Sequence, residues 1–244
     1  MLNVFKSEWI KFSSQPLSLL GAVGTIIIAP IAFTMMIIIN NPNQVIMESR
    51  EIVAFGLQSL MLSQVGIVIM ASSYWGAEYE HATLRTTFLS ISSRKQVISV
   101  KFILLSVITI LAGVTSFILI WILSTIAYEE PLSSFLYNEY MTRIILFLIS
   151  WLQISWICSG LTVISKSKIL TISIMFPLFL GLSRMMYLIT PLVKYLPDLA
   201  TINVFSIVEI TSFLSIRNGL LVQTTWAIIS LCIATLLIIH RDTR

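Results

Sequence analysis

Six long apolar runs alternate with short polar segments along the chain: Leu17 to Ile39, Ile52 to Trp75, Phe102 to Ala127, Ile144 to Ile164, Ile169 to Ile189 and Gly219 to Ile239. Each reaches the length of about 20 residues that a helix needs to cross the hydrocarbon core of a bilayer. The runs are continuously apolar and so predict helices; the strands of a membrane barrel would alternate apolar and polar positions over about ten residues. The first run exceeds the apolar core of a signal peptide, about 7–15 residues, and no small-x-small cleavage pattern follows it. It is read as a retained span.

Two stretches depart from a plain alternation of spans and loops. In residues 1–15, Leu2, Phe5, Trp9 and Phe12 share one arc of a helix and Asn3, Ser7 and Lys11 lie opposite. Such a helix lies in the membrane interface, and Pro16 ends it before the first span because proline disfavours a helical predecessor. Between Thr190 and Asn218, the apolar stretch Leu199 to Ile216 contains Glu209. A seventh span here would place a carboxylate in hydrocarbon and send the basic C-terminal residues outside. An outer re-entrant or interfacial helical segment is expected instead, with Glu209 either a solvated rim residue or a pathway-lining group. In the second span, Gly56, Ser59, Ser63, Gly66, Met70 and Ser73 recur every three or four residues. Small residues let helix backbones approach in lipid, so the stripe reads as helix packing, or as a substrate-facing groove beside Gln58 and Gln64. The candidate pathway residues are thus Gln58, Ser63, Gln64 and Glu209. Pro30 and Pro177 are expected to kink their helices, and Pro177 with Gly181 to form a hinge.

Composition turns this pattern into a class. The chain is 57% hydrophobic and 11% charged, with a mean hydropathy of +0.95, where ordinary soluble domains are about 25% charged. The expected fold is an all-α integral membrane domain over residues 1–244, with six transmembrane helices, an N-terminal interfacial helix and the outer segment before the last span. With the N-terminus inside, ten Lys and Arg fall on inner segments and five on outer ones. That split places both termini in the cytoplasm, so the net charge of +4 reads as topology, not as affinity for nucleic acid. Cys158 and Cys232 lie within spans and read as packing thiols; with His81 and His240 they build neither a disulfide framework nor a metal cluster. No G-x-x-x-x-G-K-[ST] loop, H-E-x-x-H pair or G-x-S-x-G elbow occurs, and no catalytic residues are assigned. An ion-coupled secondary transporter would carry ionisable groups near the midplane, where only Arg184 and Glu209 come near to qualifying.

The polar island of residues 76–101 carries the candidate functional chemistry. Glu78-Tyr79, Thr83-Leu84-Arg85-Thr86, Ser93-Arg94 and Lys101, together with the opening Lys6-Ser7-Glu8-Trp9-Ile10-Lys11, resemble bacterial type-2 ATP-binding-cassette permeases. The short length resembles the subgroup that exports antimicrobial peptides or confers immunity to them. Ala82 stands where many members carry glycine before the Thr-Leu pair. From the residues themselves, Leu84, Phe88 and Leu89 on one side of a short helix would seat apolar knobs in a soluble partner's groove while neighbouring charges fix the register. The resemblance implies that this coupling loop, flanked by the N-terminal helix, transmits closure of an ATPase dimer. Glu78, Tyr79, Thr83, Leu84, Arg85, Phe88, Arg94, Trp9 and Lys11 are its candidate residues. It further implies two copies of a separate ATPase that binds ATP and magnesium, a second permease copy or paralogue, a lipid environment and an amphipathic peptide cargo, in the bacterial cytoplasmic membrane. The other readings are an ion-coupled secondary transporter and a non-transporting membrane anchor or sensor.

Overall fold

In a computed structural model, the structure describes residues 2–40, 47–80, 94–128 and 134–240. Helix is the only regular structure among these residues. In chain order it runs α1 (Leu2–Ser14), α2 (Pro16–Asn40), α3 (Ser49–Glu80), α4 (Arg94–Tyr128), α5 (Ser134–Ser165), α6 (Lys168–Pro177) and α7 (Ser183–Tyr187). Then come α8 (Pro197–Ala200) and α9 (Ile216–His240). Short 3-10 turns at Pro191–Tyr195 and Ile202–Phe205 flank α8. Six segments are long and apolar enough to cross a membrane: Pro16–Asn40, Ser49–Glu80, Gln96–Ala127, Asn138–Ser165, Lys168–Tyr187 and Ile216–Ile239. This is the build of a multi-pass membrane protein, and residues 191–215 add no seventh span.

The helix α3 is the centre of the bundle, buried along nearly its whole length. Its closest neighbour is α2, and the small residues of the sequence stripe explain the approach. A methyl group placed on Gly66 would run into the backbone nitrogen and hydroxyl of Thr25, and one on Gly21 into the backbone of Met70. These glycines allow backbone-to-backbone contact, which in lipid supplies the packing energy that apolar burial cannot. The stripe then drifts around α3: Gly56 lies under the Tyr140 hydroxyl on α5, and Gly76 under the Lys168 side chain on α6. Packing accounts for most of the stripe. Trp75 meets Phe102 of α4 at 5.0 Å between ring centroids. Tyr140 meets Ser124 at 2.8 Å between hydroxyl oxygens, joining α5 to α4.

Beyond α7 the chain folds back among the spans on the face opposite α1. Backbone polar groups left unpaired there would be costly away from water, and side chains from neighbouring elements take up many of them. Arg143 of α5 donates to the carbonyls of Asn203, Val204 and Ile207 at 3.1–3.2 Å. Gln223 and Trp226 of α9 donate to the carbonyls of Pro197 and Tyr195, each at 2.9 Å. Asn203 closes the following turn, donating to the carbonyls of Ile210 and Leu214 and accepting from the Ile210 amide. Leu199, Ala200, Val204 and Phe205 are thereby fully buried, whereas Glu209 is exposed.

Replacing Gly66 by Leu is expected to force α2 off α3 and lower stability by about 3 kcal/mol, the upper end of the cost of overpacking. Gly181→Ala, at a site with open space around it, should leave the α2–α3 contact intact. Thermal unfolding in detergent, combined with cysteine cross-linking between α2 and α3, checks both.

Candidate functional site

At the end of the bundle where α3 stops and α4 starts, four charged side chains from three helices meet in a nearly dry site. On α1, Glu8 shares one face with Phe5 and Phe12 through spacings of three and four residues, and Phe12 packs edge-on against the Tyr74 ring at 5.5 Å. The last two turns of α3 contribute Tyr74, Trp75 and Glu78, and the second turn of α4 contributes Lys101. Lys11 Nζ lies 2.8 Å from Glu8 Oε1 and 3.1 Å from Glu78 Oε1. Lys101 Nζ lies 3.1 Å from Glu8 Oε2 and 3.0 Å from Glu78 Oε1. The Tyr74 hydroxyl donates to Glu8 Oε2 at 2.8 Å. Two carboxylates and two ammoniums alternate in a closed ring.

Glu8, Glu78 and Lys101 are 0%, 2% and 1% exposed, and Lys11 alone, at 31%, reaches water. Isolated charges at this depth would cost several kcal/mol each in lost hydration, so the ring stands only because every member faces opposite charge. Lys101 has further support from the rings of Tyr74 and Trp75, whose centroids lie 4.1 and 5.2 Å from its ammonium. Its ammonium makes no aligned hydrogen bond and is held by charge and ring faces. Glu78 sits in the last turn of α3, where the helix dipole disfavours a carboxylate; the two lysines offset that. Burial pulls the Lys11 ammonium down, but the hydrogen bond to Glu8 and the charges of Glu78 and Glu8 outweigh it and leave its pKa above the ordinary 10.5. A second pair, Lys168 Nζ to Glu80 Oε2 at 2.6 Å, ties α6 to the same end of α3. The start of α6 is itself fixed by a tight turn in which Lys166 takes a φ of 57° and the Ser167 hydroxyl caps Leu170.

The predicted coupling residues divide accordingly. Thr83, Leu84, Arg85 and Phe88 lie outside the described residues; Arg94 opens α4, its side chain likewise outside them. The expected loop of residues 76–101 is shorter than its polarity suggested, because residues 76–80 finish α3 and 94–101 begin α4. The helices continue through charged positions because the charges neutralise one another inside the bundle. Lys11 and Glu78, expected among the coupling residues, are members of the ring, Glu78 buried and Lys11 at its open corner. Trp9 is about half exposed on α1, stacked on Phe12 at 6.5 Å, and Tyr79 is partly buried against the core.

Glu8 stands in the opening run of the sequence without being singled out as a site residue, Tyr74 carries no signal of its own, and Lys101 reads by polarity as part of the loop. The signal was there for Lys101: it falls in register with Val97, Ile98, Leu104 and Leu105, a buried stripe of α4, and a lysine in an apolar stripe needs a buried acid. On the opposite face, a cavity of about 320 Å³ opens between Arg50, Glu51, Ala54 and Gln58 of α3 and residues 205–208 and 210. Of the four candidate pathway residues, only Gln58 lines it. Ser63 is buried and donates to the Leu60 carbonyl. Gln64 is buried with neither side-chain polar atom hydrogen-bonded, and Glu209 lies on the exposed rim beside Val208 and Ile210. The structure does not gather the four into one route.

The chain has no detectable match among protein-family models, curated proteins or solved structures.

Lys101→Met is expected to lower stability by about 3–5 kcal/mol, the cost of stripping one partner from a buried pair, and Lys11→Met, at the open corner, by clearly less. Adding Glu8→Gln to Lys101→Met should recover part of the loss, because the two changes act on one contact. Thermal unfolding in detergent of wild type, Lys101→Met, Glu8→Gln and the double variant measures the cycle; strictly additive losses would contradict a shared ring.

Proposed function

We propose that this chain is the membrane-spanning permease subunit of an ATP-driven exporter, with hydrolysis carried out by a separate ATPase that docks on residues 81–93. The observation that carries this reading is the charged ring at the root of that segment. The segment leaves α3 two residues beyond Glu78 and enters α4 seven residues before Lys101. A push on it therefore acts on a point where α1, α3 and α4 are joined, and opening the joint would leave buried charges unpaired. Because α3 packs against most of the bundle, movement of its end is passed to the other spans. Polar side chains outside such a joint would serve an anchor equally well; the buried coupling between them serves a lever.

One chain offers one such segment and an ATPase pair offers two grooves, so two permease copies, or this chain and a paralogue, complete the exporter. ATP and magnesium belong to the partner. The cargo class that suits the bundle is an amphipathic or antimicrobial peptide, in toxin export or self-immunity. Such a peptide buries its apolar face in the bilayer surface and reaches the spans laterally, needing few charged ligands. The cavity beside Gln58 and the apolar residues 205–210, on the face away from α1, gives it an exit. The distribution of Lys and Arg supports both termini in the cytoplasm, and the resemblance to bacterial permeases supports a bacterial cell.

Full-length chain purified with its ATPase and reconstituted in liposomes is expected to stimulate ATP hydrolysis. Leu84→Ser with Phe88→Ser should abolish the stimulation without reducing the amount of inserted protein. Unaltered stimulation in the double variant, or peptide efflux driven by an ion gradient without ATP, would overturn the reading.

Orientation has its own test. With Cys158 and Cys232 replaced, a cysteine at Asn138 or Lys194 should react with an impermeant thiol reagent added outside intact cells, and one at Ser93 should not; the reverse pattern would invert the topology.

A further inference from the structure

The fifth stretch able to cross a membrane, Lys168–Tyr187, is broken partway. After Pro177, the helix takes a π turn over Leu178–Leu182, within which Gly181 adopts φ 111° and ψ 2°. A side chain there would meet open space, so glycine is required by the backbone angle alone. Ser183 follows the break. Its hydroxyl oxygen lies 3.2 Å from the Leu178 carbonyl and in close contact with Asp198 Oδ2. Asp198 is 2% exposed, at the start of α8, and its other oxygen, Oδ1, makes no aligned hydrogen bond.

Counting hydrogens decides the state of this pair. The Ser183 hydroxyl owns one hydrogen, the Leu178 carbonyl can only accept, and an ionised carboxylate can only accept. One hydrogen serves at most one of these contacts well; the other is left as a bare contact between two oxygens, or the hydrogen is shared and both bonds are weak. With a proton on Asp198, the carboxyl O–H donates to Ser183 Oγ and the Ser183 O–H donates to the Leu178 carbonyl. Both contacts are then hydrogen bonds, and Oδ1 becomes a neutral carbonyl oxygen, far cheaper to bury than half of a carboxylate.

We propose that Asp198 and Ser183 form a proton-binding site that latches the broken span to the segment of residues 191–205. Occupied, the site holds Ser183 and the Leu178 carbonyl against α8. Emptied, the proton passes to water on that face, the Asp198 carboxylate seeks solvent, and the contact across the break is lost. Gln223, donating to the Pro197 carbonyl, keeps the α8 side in place.

The surrounding charges are accounted for. Burial raises the Asp198 pKa to about 6 from an ordinary 3.8, outweighing the Ser183 hydrogen bond, the backbone amides of Leu199 and Asp198 and the charge of Arg184 on α7, all of which lower it. Lys194 lies over the Tyr195 ring, Tyr187 donates to the Ser212 carbonyl, Arg143 is committed to three carbonyls, and Arg217 of α9 is exposed. The latched state binds the proton more tightly than the open state, so latching is favoured at low pH. The advantage is lost as pH rises from about 4 to about 6 and is level above that.

The test uses full-length protein in lipid nanodiscs. Wild type should show the infrared stretch of a buried protonated carboxyl at pH 5, fading with a midpoint near pH 6, and Asp198→Asn should lack it. In a background without Cys158 and Cys232, labelling of a cysteine replacing the buried Val193, divided at each pH by that of a cysteine at exposed Asn138 to remove thiolate ionisation, should be about tenfold higher at pH 8 than at pH 5. Adding Asp198→Asn should leave this ratio low and flat, because the amide donates without a proton to lose. Absence of the carboxyl band in wild type at pH 5, or the same pH profile of labelling with and without Asp198→Asn, would overturn the proposal. Should Asp198→Asn fail to fold, the infrared titration of wild type decides alone.

Discussion

Burying Glu8, Glu78 and Lys101 together at one end of an apolar bundle constrains everything that end can do. None of these side chains is tolerable at that depth on its own, and each comes from a different helix. Three helices with different roles, one short and two long, therefore share a single electrostatic joint. Lys11, half-open to water, closes the ring and gives it its one exposed corner. The joint also explains why α3 and α4 run well past the length that spans hydrocarbon: their charged ends are held by each other, not by solvent.

The opposite end is built on a different principle. There the backbone itself is irregular, and its carbonyls are met by long polar side chains: Arg143, Gln223 and Trp226. Such contacts satisfy groups one at a time, and the same end of the bundle carries the cavity beside Gln58. Under the proposed function, a charged joint at one end and an irregular seam at the other suit a bundle that is pushed from one side and opens on the other.

Much of the architecture was legible in the sequence, because continuous apolar length in a bilayer leaves few alternatives to helix. The small-residue stripe of α3 correctly announced close packing, and Pro177 with Gly181 announced the break. The segment after Thr190 was kept from being read as a span by Glu209, which indeed lies at the exposed rim. The joint was not legible. Polarity was taken to mean exposure, so Lys101 was placed in a loop and Glu78 at a partner surface, although complementary charges at helix ends extend helices instead of ending them. Glu8 was hidden because the apolar arc of α1 was drawn through Leu2, Phe5, Trp9 and Phe12, whereas the face that packs is centred on Glu8 and Phe12. Pairings between residues 66 or more apart, such as Glu8 with Tyr74, have no local signature. The route of a cargo was illegible for the same reason: Gln58, Ser63 and Gln64 are neighbours in sequence but point to different surroundings.

The central claim is that residues 81–93 are the handle and the charged ring is the joint behind it. The most direct measurement places a photo-activated cross-linking residue at Leu84 in the full-length chain in native membranes and identifies the adduct by mass spectrometry. It then repeats the experiment with Glu8→Gln and Lys101→Met together. The expected result is an adduct with a nucleotide-binding ATPase whose yield changes with nucleotide in the wild-type background and no longer does so in the double variant. An inserted, correctly oriented protein that gives no ATPase adduct, or a nucleotide response that survives loss of the ring, would contradict it.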